Sequence, residues 1–463
     1  MLSIPILAAT GHVGWADYLR SFNVGAEAAR REHRERFERT HPNYTPVAYP
    51  PLLFHPAFCD AAADTAFRLL DLCVSLPERI FDNDYKRLLA FQGLPHEQAD
   101  LLLPLCTPRF IDMAAQFSRP DLLVCRNGLK AVEVNVSAAI GGLGLCDRIT
   151  GEFRRSDFGR YLQMQGVCVD APDMMRVWHD ALMRVSRRDK SAREPVFFEA
   201  LVTPSELQQP YSFHSDFVEP IRRMGYRVET GLLQRLRVTP EGVFHGDVQV
   251  DIVYTMFAYG EILAQRLPAA LFHQLAVADL AGLVDFVSPP VGAVFDNKAN
   301  FELLTSAAYT SYFSSQEREF IGRHVPRTWR LNTTIREEVR RSKDAYVLKP
   351  AGEFGGRSVC VGQNVSEAEW TNALDAACTG GMAYVVQERV ADLWPCSVPD
   401  SADASWAVCL GPTLFGGRHG GTLIRQAPTN GGTPVINGAR GALVGTAFSA
   451  QSTSLCAPTE QTA

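Results

Sequence analysis

The stretch Tyr346–Arg357, YVLKPAGEFGGR, decides how the rest of the chain is read. A short apolar run, Tyr346-Val347-Leu348, ends in Lys349 and Pro350. A loop with Gly352, Gly355 and Gly356 follows, closed by Arg357. The pattern predicts a strand that delivers a fixed cation and a glycine loop to one place. Glycine permits positive φ and close backbone approach, and successive N–H groups make a concavity for anions such as a polyphosphate. The GxxxxGK[ST] order of a Walker loop is absent. A dinucleotide fingerprint is absent too, because Lys349 precedes the glycines and no GxGxxG opens a helix. A plain hairpin with a glycine turn has the same local signature, so the reading depends on what the rest of the chain supplies.

The chain has 463 residues, enough for two or three domains and a large core. With 46% hydrophobic and 21% charged residues it reads as an ordinary soluble globular protein. Its net charge of −6 gives no global basic field for nucleic acid or an anionic membrane. Eleven cysteines form no CxxC pair and lie mostly among apolar neighbours, as reduced core thiols do in the cytoplasm. The opening MLSIPILAATGHVGW has no basic n-region, so a signal peptide is not expected. No apolar run reaches the length of a spanning helix.

Further upstream, Asp121–Cys125 and Leu129–Val134 are β-like runs around Arg126-Asn127-Gly128, where Asn-Gly suits a two-residue hairpin. Strand alternation puts Glu133 and Asn135 on one face, and Asp121 starts the partner strand. Two carboxylates and an amide oxygen suit a hard cation such as Mg²⁺ that also takes phosphate oxygens. The competing reading is a surface hairpin with a polar face. Ser137–Gly144 follows as a small-residue loop.

The remaining chain falls into segments. Residues 1–118 read as a helical N-terminal region, with an exposed Glu/Arg-rich helix over Phe22–Thr40, a largely helical Cys59–Leu105 and a helix over Thr107–Phe117. Residues 119–194 hold the hairpin and then mostly helix over Arg160–Arg187. Residues 195–295 alternate strand and helix, with a hairpin near Glu241-Gly242, as a small Rossmann-like domain would. Residues 296–450 begin with Asp296-Asn297-Lys298 opening a helix. They continue with the Lys349 strand, a helix over Glu367–Cys378 and the strand Tyr384–Glu388. Two strands with a glycine turn at Gly416-Gly417 and Gly420-Gly421 follow, and Arg425 ends the last strand. Residues 451–463 read as a disordered tail. His214 and Asp216 read as part of a surface turn.

A nucleotide between two β-rich layers needs cations, a loop over its phosphates, backbone contacts to its base and bridging divalent ions. Lys298 and Lys349 are the candidate cations. Gly352, Gly355 and Gly356 form the loop, and Gln387, Glu388 and Val390 lie in a hinge leaving a strand. Asp121, Glu133 and Asn135 are the metal set, and Arg425 neutralises charge on a transferred phosphoryl.

The ordered set resembles the circularly permuted ATP-grasp amide ligases, the group that includes the synthetase domain of glutathionylspermidine synthetase. That family's R-x-D and E-x-N pair is similar to Arg119-Pro120-Asp121 and Glu133-Val134-Asn135. Its K-P with a glycine loop is similar to Lys349-Pro350 and Gly352–Gly356. Its V-x-Q-E hinge is similar to Val385–Glu388, its terminal I-R to Ile424-Arg425, and its helix-opening lysine to Lys298. The metal hairpin precedes the glycine loop, the reverse of ordinary ATP-grasp enzymes. The resemblance covers roughly 119–450 and includes no amidase domain. It leaves the first hundred residues without a counterpart.

The resemblance implies an α+β, circularly permuted ATP-grasp fold with a small Rossmann-like domain before its ATP-binding half. It implies ATP and Mg²⁺ as cofactors and Arg119 and Arg425 as catalytic residues. It also implies a reaction in which a carboxylate takes the γ-phosphoryl of ATP and the acyl-phosphate is captured by an amine. The expected partners are a small-molecule carboxylate and amine, with no nucleic acid and no membrane; a homodimer is allowed. The alternatives are transfer to a thiol or hydroxyl, a non-catalytic nucleotide-binding protein of the same fold, and an unrelated α+β protein. The last would separate Asp121 from Lys349 in space.

Overall fold

Alternation along Phe117–Cys125 and Gly128–Val136 builds the hairpin at one side of the central sheet. The sheet runs Leu443–Thr446, Arg418–Pro428, Ser405–Phe415, Phe117–Cys125, Gly128–Val136, all antiparallel, with Cys396–Ser397 paired to Ser405 and Trp406. The computed structural model describes residues 10–11, 14–40, 46–137, 139–187, 194–208, 212–353, 358–397, 405–429 and 432–452. Leu122, Val124, Val408, Leu410 and Ile424 point to one side, where the helix Pro56–Phe81 packs Phe58, Ala62, Ala66 and Leu69 into the same core. Period two then sends Arg119, Asp121, Cys409 and Arg425 to the other side. The long helix opens with proline in its first turn, where no N–H is needed.

That other side faces a second antiparallel sheet, ordered Thr328–Arg330, Tyr384–Glu388, Tyr346–Pro350, Cys360–Val361. Tyr346, Leu348 and Val386 pack under the helices Thr333–Arg341 and Glu367–Thr379, against Val339, Trp370 and Leu374. Val347, Lys349 and Gln387 alternate to the opposite face. A four-stranded parallel sheet, Asp285–Val287, Ile252–Thr255, Val196–Leu201, Arg227–Leu232, lies in the stretch read as Rossmann-like. The piece near Glu241-Gly242 is a three-stranded meander, Leu236–Thr239, Gly242–His245, Val248–Val250. The last sheet orders Thr10–Gly11, Leu53–Phe54, Phe448–Ser452, Val167–Asp170, so early and late chain are paired.

The structure departs from the sequence reading at several points. The N-terminal region is not helical throughout: Leu53–Phe54 is a strand on the edge of the late strand Phe448–Ser452, and Thr10–Gly11 pairs in turn with Leu53–Phe54. That strand also takes Gln451 and Ser452 out of the expected tail; 453–463 lie outside the described residues. Arg425 lies inside its strand, and Leu443–Thr446 and Phe448–Ser452 follow it. The tight turn is Gly416-Gly417, both at positive φ, which suits a two-residue hairpin. Gly420 and Gly421 lie in the strand beside a register shift. In the first hairpin the turn residues are Arg126 and Asn127, neither at positive φ, and Gly128 closes the pair with Cys125.

The helix expected from Asp296 is two short ones, Ala293–Asp296 and Asn300–Thr305, with Lys298 in the turn between them. Arg160–Arg187 is interrupted by the strand Val167–Asp170. His214 and Asp216 belong to the helix Ser212–Arg223 rather than a turn. Among the described residues every cysteine is a free thiol, and no helix is long and apolar enough to cross a membrane.

Candidate functional site

The hairpin register sets the site. Asp121 stands opposite Glu133 and Arg119 opposite Asn135, so all four side chains share one face at neighbouring ladder positions. One step further, Asp121 pairs with Glu133 while Leu122 pairs with Ala131, which leaves Val132 as a bulge residue. The Val132 carbonyl, released from regular pairing, accepts a hydrogen bond from Lys349 Nζ at 3.2 Å. The bulge thereby turns a strand carbonyl into a lysine anchor.

Arg425 crosses from its own strand to Asp121, with Nη2 2.5 Å from Oδ1. Arg119 Nε lies 3.3 Å from the same oxygen. Burial pushes the Asp121 carboxyl up, but the two guanidiniums outweigh it and hold it well below the ordinary carboxylate range. Arg119 reaches this position over Gly411, where a Cβ would come within 2.7 Å of its Cδ. Asn135 Nδ2 donates to the Arg119 carbonyl at 2.9 Å, which fixes the amide.

Lys298 Nζ sits 3.3 Å from Glu133 Oε2 and donates to the Glu353 carbonyl at 2.7 Å. The Lys298 backbone N–H donates to the Ala351 carbonyl at 2.8 Å, pinning this turn to the residue after Pro350. Lys349 Nζ also donates to Gln387 Oε1 at 2.7 Å, and Gln387 Nε2 donates to Thr328 Oγ1 at 3.1 Å. Gln387 is thus a side-chain holder of Lys349. Burial pushes the Lys349 ammonium down to about 8, with Glu133 pulling it up and Lys298 adding to the depression. Burial also raises the Asp296 carboxyl well above its ordinary value, and nearby Lys298 offsets only part of this.

Two cavities meet here. One, of about 100 Å³, lies between the two antiparallel sheets and is lined by Asp121, Leu123, Lys349, Val361, Gln387, Glu388 and Val390. The other, of about 240 Å³, is lined by Arg119, Asn135, Asp296, Tyr259 and the segments after two parallel strands, Thr255 and Ser288–Pro290. Glu133 and Asn437 line both. Ligands of open α/β sheets sit beyond the carboxyl ends of the strands, where this second cavity is.

Asp121, Glu133, Asn135, Lys298, Lys349, Arg119 and Arg425 are therefore brought together, and Asp121 and Lys349 line one cavity. Gln387, Glu388 and Val390 join them, and Gly352 lines a neighbouring cavity with Glu353. Gly355 and Gly356 lie outside the described residues. Among the described residues no three His, Cys, Asp or Glu side chains form a metal-holding group, so the oxygen set depends on Asn135. Asp121 is already bound by two guanidiniums. Glu133 and Asn135, which line the larger cavity, are the members facing open space.

Sequence reasoning missed Asp296 and Tyr259. Asp296 adjoined the chosen Lys298 and could have been found as a carboxylate beside a candidate cation. Tyr259 carried no local signal. Arg425 Nε is buried without a hydrogen-bond partner among the described residues.

No family profile matches the chain, and no curated protein sequence matches it significantly. Among solved structures, it is similar to a glutathione synthetase-like effector from Globodera pallida in apo form. The TM-score is 0.50 at 14% identity, over 91% of this chain and 96% of that one. A protein provisionally named a gamma-glutamylcysteine synthetase, from Methylobacillus flagellatus KT, matches with TM-score 0.41 and 11% identity, over 84% of this chain and 88% of that one. The chain thus has a mixed α/β fold shared, over nearly its whole length, with a glutathione synthetase-like protein.

Proposed function

We propose that the protein is an ATP-dependent carboxylate–amine ligase of the circularly permuted ATP-grasp type. The observation that carries this reading is a surplus of buried positive charge between two β layers. Arg119, Lys298, Lys349 and Arg425 are all at most 9% exposed, and these four cations face three carboxylates, Asp121, Glu133 and Asp296, the last with its charged form disfavoured by burial. Buried charge without a counter-charge is costly, so the arrangement suits an anion of several charges. The apolar lining of Leu123, Val361 and Val390 beside Lys349 suits a base with its phosphates at the lysine. The metal hairpin comes before the glycine loop in sequence, which supports the permuted order. The fold shared with a glutathione synthetase-like protein agrees with ligation.

In this reading Lys349, held by Gln387 and the Val132 carbonyl, and Lys298, held by Glu353, bind phosphates as fixed point charges. Arg425, oriented by Asp121, faces the transferred phosphoryl, and Arg119 orients the substrate carboxylate. Glu133 and Asn135 would hold Mg²⁺, which when bound spreads the phosphate charge and lowers its repulsion toward the incoming carboxylate. The carboxylate oxygen takes the γ-phosphoryl and ADP leaves. The amine nitrogen then attacks the acyl carbon, phosphate leaves and one proton is released.

Calorimetric titration with ATP and Mg²⁺ tests this. Wild type is expected to bind, and Glu133→Ala to bind roughly ten-fold more weakly while circular dichroism shows an intact fold. A wild type that ignores ATP at high Mg²⁺ removes the proposal.

A further inference from the structure

A third cavity, of about 510 Å³, opens next to the site. Three segments enclose it: the connection Gln92–Gln98, the helix Tyr259–Ala264 with Leu263, and Gly381–Ala383. It continues to Ala351, Gly352 and Glu353, at the head of the glycine loop. It shares Tyr259, Ala293 and Asp296 with the cavity that holds Arg119 and Glu133. Its volume is that of a small-molecule site.

Two polar atoms of its lining residues have no hydrogen-bond partner among the described residues. Gln92 is fully buried; its Nε2 donates to the Val294 carbonyl at 2.7 Å and to Asn300 Oδ1 at 2.8 Å, while its Oε1 has no partner. The Val294 carbonyl fixes the amide orientation, so the unpaired atom is an acceptor. Tyr259 is 8% exposed, and its hydroxyl also has no partner. A buried polar atom left unpaired is costly, so two of them around one cavity need an explanation. Its other polar side chains are Gln98, Asn297, Asp296 and Glu353, and no described lining residue is Lys, Arg or His. Acceptors dominate, so the lining favours an N–H donor and disfavours an anion. The remainder is apolar: Leu94, Pro95, Leu263, Ala293, Met382 and Ala383. Leu263 and Met382 are 36% and 42% exposed, as side chains that a ligand would cover.

We propose that this cavity binds the amine substrate, a primary amine on an apolar body, with its nitrogen at the Tyr259–Asp296 wall and its body along Leu94, Leu263 and Met382. The identity of the ligand as substrate rests on the ligase reading above; the binding chemistry does not. The two cavities share Tyr259, Ala293 and Asp296, so the acceptor-rich lining adjoins the cavity that holds Arg119. Gln92–Gln98 thereby gives the N-terminal region, to which the sequence reading assigned no role, a part in substrate choice.

The test is calorimetry on the full chain without nucleotide, using isoamylamine and its carboxylate counterpart isovalerate as probes. The expected result is binding of isoamylamine and none of isovalerate. Tyr259→Phe should weaken the amine roughly ten-fold with the melting temperature unchanged, because its hydroxyl holds nothing else in the protein. Ala264→Phe, a change at an exposed helix position, should block the cavity and abolish binding. Equal binding of both probes, no amine binding, or amine binding indifferent to both variants overturns the proposal. If Tyr259→Phe proves unstable, Ala264→Phe still decides. Amine binding in a protein that ignores ATP would keep the site and remove the ligase reading; ATP binding without amine binding would do the reverse.

Discussion

Two charge clusters in this molecule use the same residue types to different ends. Arg109, Arg187, Asp279 and Asp285 join the helices Pro108–Ala115 and Ala269–Leu280 to the parallel strand Asp285–Val287. Both carboxylates are fully buried and both are shared by the two guanidiniums, at 2.5 to 3.3 Å. Ser186 Oγ and the backbone N–H groups of Arg187 and Phe286 donate to what is left. Two charges meet two charges, and the cluster is closed. The other cluster sets four cations against Asp121, Glu133 and Asp296, leaves Arg425 Nε without a partner among the described residues, and borders cavities. A cluster that serves only the fold balances within itself, whereas an unbalanced one implies a charge that comes from outside.

That contrast can be broken by experiment. Asp279→Ala should have the largest effect: two arginines lose a buried partner, and stability should fall by about 3–5 kcal/mol. Urea unfolding measures it, and ATP affinity of the folded fraction should not change. If stability barely moves, the closed cluster is not holding the fold.

Lys349→Met should act the opposite way. Removing an ammonium whose charge burial disfavours should leave stability unchanged or raise it by about 1 kcal/mol, while ATP affinity falls roughly 100-fold. Parallel unfolding and calorimetry would show both. A variant that loses stability and keeps affinity would make this cluster structural as well.

The smallest effect is a fraction of a proton. Lys349 has its folded value near 8, below its ordinary 10.5, so the folded protein gives up this proton first and gains stability as pH rises between those values. A bound anion favours the ammonium and shifts it back up. ATP binding at pH 8 should therefore take up about half a proton or less, read from the buffer dependence of the binding enthalpy, and affinity should fall above pH 8. Lys349→Met should show no such uptake.

What the sequence made legible was local. The hairpin could be read over Asp121–Val134 from its two β-like runs and the Asn-Gly turn, while Phe117, read as the end of a helix, opens the first strand; Tyr384–Glu388 coincides with its strand because the run is short, β-branched and bounded. Lys349 and its glycine loop stood out through residue order. Asp121 looked like a metal ligand because the resemblance assigned it that role, although Arg119, two residues away, lies on the same oxygen. Its partner Arg425 arrives from a strand more than half the chain away, and long-range pairing leaves no local trace. The Val132 bulge was illegible for a related reason, since register depends on the neighbouring strands. Tyr259 and Gln92 carried no local signal; only their atoms without a partner among the described residues mark them out. The strands in the first 55 residues were missed because their β-character is borrowed from Phe448–Ser452.

The order of strands in the central sheet bears on how the molecule is made. The hairpin that carries Asp121 and Glu133 emerges from the ribosome early, while its neighbour Ser405–Phe415 and the strand bearing Arg425 emerge near the end. Until then the strand Phe117–Cys125 has one open edge, and Asp121 waits beside it without Arg425. Open edges of this kind invite pairing with other chains, and long-range pairing is slow to form. Synthesis thus passes through a long interval in which half a sheet needs shelter. A nascent chain stalled before Ser405 should be a client for chaperones, and one that has passed Pro428 should not.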